Sequence, residues 1–297
     1  MEQKIKCIHC HATAYKKKGF RTTQNRGKIQ KFQCLSCHKF FTNDEGFYRM
    51  KNDENKITQA IDLYFSTLSS RKVRNHFRRH LDHNASHVTV LDWCRRYVLK
   101  VSKYVDTLKP ELSGEFYADE TDIDRSRKDN RKDVFWCNVD WQTRFINATL
   151  YSPKEPDVQD AETFLRKVVR NGLPKYIQTD AATFYPKAFK KLFWSNQITG
   201  KGWYDKLTVD HKVVNTKRTG RYNVRIETVF SKIKDRVDDF RGLKSLWSAP
   251  ILMQGIILQH NYIEAHTTTG QVPCELANLK LEVGQNRWLG MIKIATF

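Results

Sequence analysis

The 297-residue chain lacks any long hydrophobic run. Its longest apolar stretch, "APILMQGIILQH", is interrupted by Gln254 and falls short of the roughly 20 residues that a membrane-spanning helix needs. The opening "MEQKIKCIHC" has no apolar core, so it does not read as an export signal. An intracellular, cytoplasmic protein is expected. Acids are scarce: 32 Asp and Glu stand against 52 Lys and Arg, a formal net charge of +20. That surplus suits a polyanionic partner, of which nucleic acid is the commonest, or else a merely basic soluble protein. Hydrophobic residues make up 40% and aromatics 12%, which argues against disorder, and the length suits about two domains.

Cysteine is sparse but unevenly placed. Four of the seven fall as Cys7-x2-Cys10 and, after a gap of 23, Cys34-x2-Cys37. Two CxxC turns complete a tetrahedral S4 shell that Zn2+ accepts without strain, so residues 1–45 read as a zinc ribbon with "KIQKFQC" as a strand. His9, His11 and His38 flank the turns as substitute ligands, although four sulfurs suffice. The ribbon's "YKKKGFR" suits a DNA-phosphate role, or the metal is a purely structural staple for a segment too small to make a core. In a reducing compartment, isolated Cys94, Cys137 and Cys274 read as small buried apolar residues.

Residues 54–108 carry helical spacing. Ile57, Ala60, Ile61, Tyr64 and Phe65 make one stripe, Val73 and Phe77 mark a second helix in "SRKVRNHFRRH", and Val90, Trp93, Tyr97, Val101 and Tyr104 a third. The third is expected to start near Ser86 or Thr89, where "TVLD" fits a capping box with Asp92. Arg95, Arg96, Lys100 and Lys103 lie off its stripe. Three short basic helices read as a helix-turn-helix whose last helix enters the major groove of double-stranded DNA, or as a plain bundle with solvated cations.

From about residue 112 strands and helices alternate in the order β-β-β-α-β-α-β-α. "GEFYADET" brings Asp119 to one strand, "PKYIQTD" ends another at Asp180, and Glu227 starts the amphipathic "NVRIETVFSKIKDRVDDF". Functional groups of open α/β sheets gather at strand ends. Three converging carboxylates repel unless cations lie between them, and two Mg2+ or Mn2+ ions so held would suit phosphoryl transfer. With 32 acids in the chain, other choices stay open: Glu120, Asp122 and Asp124 near the first, and Asp235, Asp238 and Asp239 near the third.

The stretches "YADET", "QTDAATFYPKAF", "NVRIETVFSKIKDRVDDFRGLKSLWSA" and "HNYIEAH" resemble the DDE transposases of prokaryotic insertion sequences, most nearly the family named after insertion sequence 6. The resemblance implies an RNase H-like core over 112–270, with Asp119, Asp180 and Glu227 as magnesium-binding catalytic acids. It also implies a homodimer or larger assembly that pairs terminal inverted repeats with target DNA, in the nucleoid. Lys234, seven residues after Glu227, matches the E-x6-K pattern and would hold a DNA phosphate. The family spaces its last two acids by about thirty-four residues. Here 46 intervene, strict spacing would choose Asn215, and the surplus falls at 195–207 as a surface loop, a lid or a dimer contact. A regulator derived from a transposase, without activity, and a nuclease of RNA–DNA hybrids are the competing functions. "SAPILMQGIILQHNYIEAH" suits core packing or an interface, and 271–297 a docking tail or a loose end.

Overall fold

The structure, a computed structural model, describes residues 5–23, 27–43, 45–66, 68–81, 85–125, 132–194, 207–215 and 223–296. The expected insertion at 195–207 lies outside them but for its last residue.

The ribbon is a three-stranded antiparallel sheet of β1 (Tyr15–Thr23), β2 (Gly27–Cys34) and β3 (Phe40–Thr42). Its core is minimal. Cys7, Phe32, Cys34 and Phe41 are its buried members, with Tyr15 set edge-on against Phe32.

Three helices follow, α1 (Glu54–Ser66), α2 (Ser70–His80) and α3 (His87–Val105). The apolar stripes read from the sequence are the buried faces, down to Val73 and Phe77 of α2. Ser86 caps α3 by accepting from the Thr89 amide at 3.1 Å, which decides its start. Asp92 does not close a capping box and reaches Arg95 instead.

The α/β body has the anticipated order: β4 (Glu115–Ile123), β5 (Asp133–Asp140), β6 (Ile146–Ser152), α4 (Val158–Val168), β7 (Tyr176–Asp180), α5 (Phe184–Phe193), β8 (Asp210–Val214) and α6 (Val224–Asp239). The sheet order is β6-β5-β4-β7-β8. The first three strands are antiparallel, while β7 and β8 run parallel to β4. This is the RNase H-like arrangement. All eight residues of β5 are buried, as befits a strand covered on both faces. Alternate residues choose the face. Phe116, Ala118, Trp136 and Ile177 pack beneath α4 and α5, whereas Tyr117, Cys137 and Val139 join a larger core with α3 and α6.

That larger core also takes in α7 (Ala249–Leu258), α8 (Pro273–Leu276) and α9 (Arg287–Ile294). Helix α7 packs on α3 with Leu252, Met253, Ile257 and Leu258 buried, so the "APILMQGIIL" segment is core. A π-helical turn at Gln259–Ile263 extends it. There the Asn261 side chain both accepts from the Ile146 amide (2.9 Å) and donates to its carbonyl (2.8 Å). Segment 271–296 is anchored: Trp288 is fully buried, stacks on Phe65 of α1 and donates to Gln259 Oε1 at 2.7 Å. Gly255 lets α7 approach α1, since a Cβ there would lie 2.1 Å from the Phe65 ring. Among the described residues no helix is long and apolar enough to cross a membrane.

Candidate active site and metal centres

The four ribbon cysteines converge. Sγ of Cys7 lies 3.7 Å from that of Cys37, and Cys10 3.5 Å from Cys34. A tetrahedral site with zinc–sulfur bonds of about 2.3 Å separates its sulfurs by about 3.8 Å, so the donor set fits zinc. Cys10, although the Ala12 backbone lowers it, is pushed up to about 12 by its thiol neighbours, Cys37 foremost. The backbone of Cys37 pulls Cys34 down to about 6. Four sulfurs this close cannot all ionise without a cation among them. His9 faces the Phe40 carbonyl instead, at 3.3 Å. His11 and His38, each following the second cysteine of its pair, share a left-handed φ of 59°, so the two turns have the same backbone form there.

The second candidate centre lies midway along β4 and at the C-terminal end of β7. Tyr117 is level with Gln178 in their parallel pairing, so Asp119 and Asp180, each two residues on, reach the same height on the same face. The carboxylates of Asp119, Glu120 and Asp180 all come within 4.8 Å of one another. Burial, then Asp180 and Glu227, push Asp119 up to about 7, against the lowering effect of the Glu120 amide. Glu120 rises to about 8 through burial and its acid neighbours, despite a hydrogen bond donated by the Tyr185 hydroxyl at 2.7 Å. The donor chemistry, hard oxygens crowded into a partly buried pocket, fits a divalent cation such as Mg2+.

Asn223 brings the third acid in. It is buried at the start of α6, donates to the Ala118 carbonyl (3.4 Å) and accepts from Gln178 (3.3 Å), which ties the helix to both acid-bearing strands. Ile226, Phe230, Ile233 and Val237 then pack inward. Glu227 stands exposed in the first turn, near enough to raise Asp119 but outside the tight cluster. Asn215 lies just past β8. Lys234 lines a cleft of about 540 Å³ together with Glu120, Asp122, Asp124, Lys132 and Asp238.

Glu120, one of the acids that the sequence left open beside Asp119, is thus part of the pocket. The signal was its place beside Asp119 in "YADET", but side-chain alternation sends it to the opposite face of the strand. The Tyr185 hydroxyl, donating to it, holds its carboxylate at the pocket.

A family model described as a DDE domain matches residues 116–266, just over half of the chain. The chain belongs to the DDE transposase family, of the insertion sequence 6 type. Similar solved structures include the following two. A simian T-cell lymphotropic virus intasome in complex with the PP2A regulatory subunit B56 gamma is 10% identical, has a TM-score of 0.37 and covers 74% of this chain and 72% of its own. The HTLV-2 integrase catalytic core domain in complex with magnesium, in dimeric form, is 15% identical with a TM-score of 0.38, covering 57% and 98%. No curated protein matches. A second model, cytochrome c554 and c-prime, matches residues 1–39 of the transposase, where "CIHCH" and "CLSCH" each have the form of a haem-attachment motif. Haem attachment needs thiols directed at separate porphyrins. Here all four face one another, so the donors fit one tetrahedral ion and not two haems.

The basic residues expected on α3 divide. Arg95 is half-buried and engaged within the fold: it donates to Ser248 Oγ at 2.8 Å, stacks over Trp247 and pairs with Asp92. Arg96 donates to the Tyr48 carbonyl at 3.4 Å, and half-buried Lys100 lies close to Gly46. Lys103 is exposed. Helix α2 presents more charge. Only Ser70, Val73 and Phe77 are buried, leaving Arg71, Lys72, Arg78 and Arg79 exposed on a helix without an acid.

Proposed function

We propose that this transposase cuts DNA at the ends of a mobile element and joins the freed 3′-hydroxyl to target DNA. The observation that carries the reading is the convergence of Asp119, Asp180 and their neighbour Glu120 in a chain of the DDE family. Asp119, Asp180 and Glu227 would hold two divalent cations, Mg2+ or Mn2+, which when bound activate the attacking hydroxyl and neutralise charge gathering on the phosphate and leaving oxygen.

The chain's own residues supply the rest. Partial burial keeps the acids crowded, so the pocket's affinity for cations derives from the repulsion they relieve. Asn223 fixes α6 against both strands and so sets the reach of Glu227. Lys234 opens into the cleft beside the acids and would hold a DNA phosphate there. Tyr185 fixes the Glu120 carboxylate toward the same pocket. In cutting, water attacks phosphorus and the element's 3′-oxygen leaves as a hydroxyl. In joining, that hydroxyl attacks a target phosphodiester and displaces a second 3′-oxygen.

Terminal-repeat DNA is held by the ribbon, by the exposed cations of α2 and by Arg96 and Lys103 of α3. Arg95 serves packing in this reading. Two ends must be paired, which requires a dimer or larger assembly.

Purified protein, labelled terminal-repeat duplex and supercoiled target with Mg2+ test this. Cutting and joining are expected from the native chain. D119N, D180N and E227Q should each abolish both while the repeat is still bound. Repeat binding by the native chain without any cutting would make it a regulator, and cutting of RNA–DNA hybrids alone a nuclease. Retained cutting by E227Q would remove Glu227 from the site.

A further inference from the structure

On the α6 side of the sheet, cations and aromatic rings alternate across four elements. Lys212 of β8 sits over Tyr176 of β7, Nζ 3.3 Å from the ring centre. The Tyr176 hydroxyl meets that of Tyr117 on β4 at 2.9 Å. The Arg225 guanidinium of α6 contacts the Tyr117 hydroxyl and lies over both its ring (4.5 Å) and that of Trp141 (4.1 Å). Arg144, in the β5–β6 turn, stacks on Trp141 at 3.3 Å.

Two guanidinium groups therefore share one indole and repel each other. Burial and Arg225 lower the Arg144 guanidinium from its ordinary value. Arg144 also holds a left-handed backbone (φ 60°), and its Nε and Nη1 are buried without a hydrogen-bond partner. Exposed Lys232 extends the charge: after burial, it and Arg144 lower neighbouring His266, which favours that ring's neutral form. The bordering acids do not relieve it. Glu115 accepts from Gln142 at 3.0 Å, and Asp210 is exposed on the edge strand. Nothing in the fold requires two arginines on one tryptophan. An anion laid across them would relieve their repulsion.

The position identifies the anion. Tyr117 precedes Asp119 by one same-face step of β4, about 7 Å. Arg225 precedes Glu227 by two residues on α6. The middle of the row, at Tyr117, thus lies one same-face step from the acid pocket. Cations interleaved with aromatic rings are how proteins track a nucleic-acid strand.

We propose that Lys212, Arg225, Arg144 and Lys232, supported by Tyr176, Tyr117 and Trp141, form a phosphodiester-binding track. It would guide a DNA strand to the acids from the side opposite the Lys234 cleft. This rests on the proposed DNA-joining activity, and the strand belongs either to a duplex or to an unpaired end.

Fluorescence anisotropy without divalent metal, over a salt series, tests it with a fluorescein-labelled 30-mer duplex and the same oligonucleotide as a single strand. R144Q/R225Q should weaken binding about tenfold and make the log–log salt slope shallower by about 1.8 on duplex or about 1.4 on single strand, following roughly 0.9 and 0.7 per phosphate contact. The larger loss names the strand's state. R144K/R225K should restore most of the slope. If the double variant melts early by circular dichroism, exposed-charge variants K212Q and K232Q carry the test, each removing about one contact. Unchanged affinity and slope in these variants, with native DNA binding intact, overturns the track. So does a shift from dimer to monomer with the slope unchanged, which would make the patch an interface between copies. Failure of the native chain to bind either probe would instead sink the proposed function.

Discussion

The two candidate metal centres are built on opposite plans. In the ribbon, four sulfurs converge at a core of four buried side chains, two of them cysteines, and an ion held there would replace the hydrophobic interior that so short a segment cannot make. At the sheet, the protein is already held by packing. The acids sit on its rim, from residues 119, 120, 180 and 227, and work against the fold that carries them. One centre supports structure and its ligands want the metal in order to fold. The other borrows structure and its ligands want the metal in order to stop repelling.

The contrast breaks first, and hardest, at the ribbon. Zinc removal by chelator, or C34S, should unfold residues 1–45 outright, since structural zinc sites of this kind hold about 10–16 kcal/mol of apparent binding energy. Limited proteolysis should release that segment while the body keeps its melting transition. A ribbon that resists chelation would mean that the sulfurs hold no ion.

The acid pocket should answer in the other direction. D119N is expected to reduce strand cutting at least about a thousandfold, the equivalent of several kcal/mol of lost charge stabilisation. Without metal it should melt no lower than the native chain, and higher above pH 7, because one repelling charge is gone. A melting point lowered as far as that of C34S would show that Asp119 holds the fold together.

The body's reliance on packing is tested at Gly255. G255A drives a methyl into the Phe65 ring, and about 1–3 kcal/mol of destabilisation is expected, or some 2–4 °C in Tm per kcal/mol. Thermal denaturation followed at 222 nm reads it. An unchanged Tm would mean that α1 and α7 are loosely joined.

The smallest effect is on pH. Asp119 and Glu120 titrate near 7 and 8 in the fold, above their unfolded values of about 3.9 and 4.3. Their protonated forms are favoured by folding. That contribution is whole below about pH 4 and is lost as pH rises toward 8. Metal-free protein should lose stability over this window, and Mg2+ should restore it at the upper end. E120Q should flatten the slope and weaken Mn2+ binding by about tenfold, read by calorimetry; native affinity in E120Q would remove Glu120 from the cation's surroundings.

Much of this was legible beforehand because it is local. The CxxC spacing, the helical stripes ending in Phe77 and Tyr104, and the strand run ending at Asp180 are periodicities that the chain carries within a few residues. Paired cysteines two apart need little tertiary help to face one ion. The acid pair was legible only through resemblance, since any of 32 acids qualified on composition. Arg95 shows the limit. Its place off the apolar stripe of α3 read as a free solvent-facing cation, yet Ser248 and Trp247, over 150 residues on, hold its guanidinium.

By itself, then, the sequence determined the ribbon, the order of strands and helices, and the place of Asp180 at the end of its strand, because each depends on short-range geometry. Tertiary structure alone decided that Glu120 shares the pocket, that segment 271–296 is anchored through Trp288, and that Arg144 and Arg225 meet on one ring. Those outcomes depend on strand register and on which helix covers which face, and a linear pattern does not encode distances between residues a hundred positions apart.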